Sequence, residues 1–149
     1  MGIDSIKTTR PISNGDFYRL LFTFTSSLFE LESLQTSFLE MYKGKTLLTY
    51  NVGIFCKVTT AWLFYSEKGY ISFLYVRPEF RRKGYAEKLI DSVLEKIPEL
   101  KCHVEITNTS MLNLLRSKYE VISEEPAVSR TGKELIRFVW RKKNVEITK

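Results

Sequence analysis

The chain has 149 residues, of which 44% are apolar and 27% charged, with a formal net charge of +6. This length suits one domain with a real core, and the balance argues against disorder. No apolar run approaches the roughly 18–20 residues that cross a bilayer, and one His with two isolated cysteines gives no metal cluster.

Met1-Gly2-Ile3-Asp4 lacks the basic start and apolar core of a signal peptide, and Ile6 stands where a myristoylation signal needs Ser or Thr. Cys56 and Cys102 sit in strand-like runs and read as small buried hydrophobes in a reducing compartment, so a cytoplasmic protein is expected. Ile3 to Arg10 predicts a short strand, stopped by Pro11. Ser13-Asn14-Gly15-Asp16 offers N-cap chemistry for a helix over roughly Phe17 to Ser26. A second helical pattern covers Leu28 to Tyr42, with Leu31, Leu34, Phe38, Leu39 and Met41 on its buried side, and Gly44 ends it. Strands follow at Leu47–Tyr50, Ile54–Tyr65 and Tyr70–Val76, with turns at Asn51-Val52-Gly53 and Glu67-Lys68-Gly69.

Ala86, Leu89, Ile90, Val93, Leu94 and Ile97 recur at helical spacing and predict an amphipathic helix closed by Pro98. Lys101 to Thr107 reads as a strand. Asn108-Thr109-Ser110 supplies N-cap candidates for a helix to about Lys118. Tyr119 to Glu124 is a strand, Arg130-Thr131-Gly132-Lys133 a turn, and Leu135 to Lys142 a last strand. With no repeat, linker or low-complexity segment, residues 1–149 are expected to form one domain.

The charge is unevenly placed. Arg77 to Lys88 holds five basic residues against Glu79 and Glu87, and the last twenty residues hold seven. No recognition motif or stacking consensus accompanies these charges, so nucleic acid is not the expected partner. The first cluster lies where a strand ending in Val76 passes Pro78 into a basic loop and then a helix start. Free N–H groups, the helix dipole and cationic side chains make such a junction an anion cradle. Gly84 admits close backbone approach. Neither G-x-x-x-x-G-K-[ST] nor G-x-G-x-x-G is present, which excludes the common nucleotide loops.

The motif R-x-x-G-x-A, formed by Arg81, Gly84 and Ala86, resembles the acyl-CoA pyrophosphate loop of the GNAT family of N-acyltransferases, [QR]-x-x-G-x-[GA]. The order of elements resembles that fold over essentially the full chain. The resemblance implies an α/β (α+β) architecture: a central, mostly antiparallel mixed sheet of six or seven strands splayed in a V and flanked by about four helices. It implies acetyl-CoA as acyl donor, its pantetheine arm bonding to the backbone of Leu74-Tyr75-Val76. The pyrophosphate would be held by the stretch Arg81, Arg82, Lys83, Gly84, Tyr85 and Ala86, and Asn108 would start the helix lining the other wall.

The implied reaction must deprotonate an alkylammonium of pKa about 10 before its nitrogen can attack a thioester. Glu105 is the expected base: Val104-Glu105-Ile106 resembles a Leu-Glu-Val strand of GNATs that modify protein N-termini, although this chain is two residues shorter before its Asn. Its apolar neighbours would tune it by desolvation. Family members commonly carry a Tyr acid seven residues after the Asn; here Leu115 stands there, with Lys118-Tyr119 in place of a following Gly. Tyr119, Ser117 or Ser110 could substitute, or the thiolate could leave unassisted. His103 shares a strand face with Glu105, although a lone His is usually structural. Phe17, Tyr18, Phe22, Phe24 and Phe29 read as core before substrate pocket, while Glu30, Glu32 and Glu40 suit either a cationic amine or a solvated face.

The expected function is therefore transfer of an acetyl group to a primary amine of a small molecule or protein, by direct attack in a ternary complex. A second copy of the chain is a further candidate partner, and no membrane is involved. The alternative, raised by Leu115, is a catalytically silent GNAT-fold protein that binds CoA or a protein partner.

Overall fold

The computed structural model describes residues 5–9, 45–53 and 58–143. They belong to two compact units, Met1–Glu67 with Ile71–Leu89, and Lys68–Tyr70 with Ile90–Lys149. The helices expected over residues 17–26 and 28–42 lie outside the described residues. Among the described residues there are two α-helices where about four were expected for the whole chain.

The first unit carries an antiparallel sheet in the order β1 (Ser5–Thr9), β2 (Thr46–Val52), β3 (Val58–Tyr65), β4 (Ile71–Val76). Six successive residues of β2 and six of β3 are buried, because these central strands are covered on both faces. Trp62, Leu63 and Phe64 are almost completely withdrawn from water. Asn51 and Val52, expected in a turn, belong to β2. A bulge makes this tenable, leaving Thr60 as the extra residue between the pairs Tyr50–Ala61 and Asn51–Thr59. The buried polar groups there are satisfied: Thr60 Oγ1 donates to the Tyr50 carbonyl at 3.0 Å, and Thr59 Oγ1 to Asn51 Oδ1 at 2.7 Å. A second bulge makes Ser72 the extra residue of β4.

After β4, a 3-10 turn (Pro78–Phe80) leads to α1 (Tyr85–Leu94). The helix ends three residues before the expected Ile97. Its last turn tightens instead, with the N–H groups of both Lys96 and Ile97 donating to the Val93 carbonyl.

The second unit holds an antiparallel sheet in the order β5 (Glu99–Glu105), β7 (Glu134–Lys142), β6 (Tyr119–Val128), together with α2 (Thr109–Lys118). Its core is built on Trp140, Phe138, Leu100 and Leu115, none measurably exposed. β6 runs four residues past its expected end, through Pro126. This is an edge strand of the sheet, where a missing N–H breaks no ladder on its outer side. Tyr70 forms an isolated parallel bridge with Lys101, and the Lys101 N–H donates to the Gly69 carbonyl at 2.9 Å.

Candidate active site

The expected anion loop has the backbone of a built cradle. Arg77 is fixed first: its N–H donates to the bulged Thr60 carbonyl at 2.8 Å, and its guanidinium pairs with Glu79 at 2.8 Å. Arg82 then takes φ 66° and Gly84 φ 81°, the left-handed region that costs an L-residue about 1–2 kcal/mol. A Cβ on Gly84 would meet no atom within 4 Å, so the residue faces open space. No acceptor among the described residues reaches the N–H groups of Gly84, Tyr85 and Ala86, while the first helical bond runs from Lys88 N–H to the Gly84 carbonyl. Donors at a helix start, open space and the exposed cations Arg82 and Lys83 suit a phosphate.

The side chains around the loop form an aromatic and cationic frame. Tyr50 stacks on Tyr85 at 4.4 Å, and Lys88 Nζ donates to the Tyr50 hydroxyl at 3.2 Å. Lys83 lies over the Phe80 ring. Arg81, the first residue of the loop motif, has partners within the protein. Its Nε donates to the Val76 carbonyl at 2.9 Å, and its guanidinium lies 5.4 Å from the Tyr75 ring centroid, so it ties the loop to the end of β4. Tyr75 is buried, and Leu74 and Val76 are half-buried in the same strand.

In the second unit, β5 alternates strictly. Leu100, Cys102 and Val104 turn inward, which leaves His103 and Glu105 on the outer face. Burial pushes the Cys102 thiol up to about 12, so it stays protonated. Glu105 is not desolvated as expected: its side chain is 46% exposed and pairs with Lys133 Nζ at 3.2 Å. Strand alternation is the reason, since the apolar neighbours Val104 and Ile106 flank it in sequence without covering it.

His103 has a closer partner. The Tyr70 hydroxyl lies 2.8 Å from His103 Nδ1. Arg137 of β7 is the direct cross-strand neighbour of His103. Partial burial, helped by the Arg137 charge, pushes the imidazole below its ordinary value, and burial raises the Tyr70 hydroxyl above its own. Sequence reading gave His103 only a minor part and missed Tyr70. The aromatic at the strand start was a weak signal, but only folding reveals their proximity.

The other expected site residues have structural work. Asn108 caps α2, its side-chain oxygen accepting from the Met111 N–H at 3.3 Å. The hydroxyl of buried Tyr119 donates to Asp91 Oδ1 at 2.8 Å, and Ser117 Oγ bonds back to the Asn113 carbonyl. Leu115 is fully buried on the inner side of α2. Among the described residues no helix is long and apolar enough to cross a membrane, and no three His, Cys, Asp or Glu gather as metal ligands.

No curated protein matches the chain in sequence. Solved structures that share its fold include the ribosomal-protein-S18-alanine N-acetyltransferase from Escherichia coli, 11% identical over 99% of each chain with a TM-score of 0.59. An acetyltransferase of the GNAT family from Bacillus cereus is 16% identical over 95% of this chain and 99% of its own, TM-score 0.63. NAA60 from Arabidopsis thaliana, solved in complex with acetyl-CoA, is 17% identical over 92% and 99%, TM-score 0.59. The model of the acetyltransferase (GNAT) family matches residues 26–119, more than half of the chain. The α+β fold and the loop motif agree with that match, and the chain belongs to the GNAT family of acetyltransferases.

Proposed function

We propose that the protein transfers an acetyl group from acetyl-CoA to a primary amine, with the loop at the head of α1 holding the pyrophosphate and His103 taking the amine's proton. The observation that carries this reading is the hydrogen bond between Tyr70 and His103 on the outer face of β5. Family membership and a fold neighbour solved with acetyl-CoA support the donor.

The chemistry follows from the groups present. A general base must be unprotonated when the ammonium arrives, and burial with the Arg137 charge favours neutral imidazole. In the productive tautomer Nδ1–H donates to the Tyr70 oxygen, which leaves the Nε2 lone pair for the amine's proton. The freed nitrogen attacks the thioester carbonyl, the C–S bond breaks, CoA leaves as its thiolate, and the second proton shed by the acylated nitrogen passes to that thiolate or to water. A thiol of pKa about 8.5 is a tolerable leaving group without an acid. That matters because Leu115 has no proton to give. Glu105, solvated and paired with Lys133, is the less suitable base.

A second reading rests on that same Leu115: a GNAT-fold protein that binds CoA without turnover. Release of free thiol from acetyl-CoA across a panel of amines and peptides separates the two. Thiol release that depends on both acceptor and His103 supports the enzyme, and binding of acetyl-CoA without release supports the silent protein.

A further inference from the structure

On the outer face of the second unit's sheet, Arg137 occupies the middle strand. It pairs directly with His103 on β5 and with Glu125 on β6. Residues directly opposite in an antiparallel sheet place their side chains on the same face, with Cβ atoms about 4.5–5.5 Å apart. The guanidinium therefore belongs to the surface that carries the Tyr70–His103 pair. Arg137 is half-buried, yet among the described residues no carboxylate comes within ion-pair distance of it. The acid nearest in pairing, Glu125, is exposed and makes no bond to it. Glu105, two residues along β5, is already engaged by Lys133 at 3.2 Å. The exposed arginines of this sheet and its helix differ. Arg116 grips Glu124 at 2.8 Å and Arg141 grips Glu120 at 2.9 Å. Arg137 alone of these three is half-buried and, among the described residues, without an acid.

A partly buried arginine with no acid beside it gains from an incoming carboxylate, which its guanidinium can bind through two parallel N–H···O bonds. Its charge also opposes a second cation, so a polyamine acceptor is disfavoured on this face. We infer that Arg137 is a specificity residue that anchors a carboxylate carried by the acceptor close to its reacting amine. This rests on the assignment of His103 as the group that takes the proton. A free amino acid and a peptide with an acidic residue near its N-terminus both present that chemistry.

The test uses the full chain with acetyl-CoA and matched acceptors. One arm compares free amino acids with their amides. The other compares peptides that differ only by Glu, Gln or Lys at the second residue. In at least one arm the carboxylate member should be preferred by about tenfold or more in kcat/KM, and the arm that responds identifies the source. Arg137→Gln should reduce that preference to about twofold or less, chiefly through KM, with Arg137→Lys intermediate. Equal use of neutral and carboxylate acceptors, or a preference that survives Arg137→Gln, overturns the inference while leaving the acetyltransferase reading intact. A second readout needs no turnover. With CoA present, the His103 ring resonances should shift on titration with the Glu peptide or free glutamate, and the shift should vanish in Arg137→Gln. Binding without thiol release would defeat the enzyme reading alone, whereas wild-type resonances that ignore both ligands overturn the carboxylate anchor.

Discussion

The Tyr70 hydroxyl lies 2.8 Å from His103 Nδ1, with the two rings tilted at 5.7 Å between centroids. The bond spans 33 residues of sequence and depends on the parallel bridge between Tyr70 and Lys101. It joins a group that stays protonated to one held neutral, the combination a proton acceptor needs near neutral pH.

Removing the imidazole should remove most of the rate. His103→Gln is expected to lower kcat by about 100-fold or more, and Tyr70→Phe by about tenfold, with acetyl-CoA affinity unchanged. Thiol-release kinetics alongside calorimetric titration of acetyl-CoA would show both; a normal kcat in His103→Gln removes the assignment.

The direction of the pH effect is fixed. His103 titrates below its ordinary value of 6.5, so the neutral form that accepts a proton persists above that lowered pKa and is lost as pH falls through it. The acid limb of kcat/KM should therefore lie below 6.5, and Arg137→Gln should move it upward by withdrawing one of the two causes. The profile should be measured on a neutral acceptor, to keep acceptor binding out of the comparison. A limb that ignores both Arg137→Gln and His103→Gln belongs to another group.

Gly69 is the backbone position on which the pair depends. It sits at φ +88°, and a Cβ there would come 2.6 Å from the Glu99 carbonyl oxygen. Gly69→Ala should cost about 2–4 kcal/mol of stability, combining left-handed strain with a clash against backbone. Well below its melting point, the variant should still resemble Tyr70→Phe in kcat, because Tyr70 can no longer hold its place. Urea unfolding and kinetics on the same preparation test both statements.

At Gly84 the same substitution meets different physics. Its φ is +81°, but nothing lies within 4 Å of a Cβ. Gly84→Ala should cost only the conformational term of about 1–2 kcal/mol. Gly84→Asp adds a negative charge at the proposed phosphate site and should abolish the rise in melting temperature that acetyl-CoA gives the wild type. An equal shift in Gly84→Asp would move the pyrophosphate elsewhere.

Tyr119 separates a structural hydroxyl from a catalytic one. Its bond to Asp91 is 2.8 Å and the ring is buried against Trp140. Tyr119→Phe should lower stability by about 1–2 kcal/mol and leave kcat within twofold. A large fall in kcat at unchanged stability would instead assign Tyr119 as the thiol's proton donor.

The sequence by itself determined what is local. The loop from Arg81 to Ala86 was legible because strand end, Pro turn, glycine and amphipathic helix are adjacent in the chain, and backbone donors at a helix start need no distant partner. Most described strands and both helices were legible for the same reason, through periodicity and caps such as Asn108. Tertiary structure decided the rest. It extended β6 through Pro126, because only sheet order shows which strand is an edge. It gave the Tyr119 hydroxyl to Asp91, and it left Glu105 in water beside Lys133. It also brought Tyr70 to His103 and set Arg137 opposite. Register and long-range contact govern those last outcomes, and neither is written in the spacing of residues along a single segment.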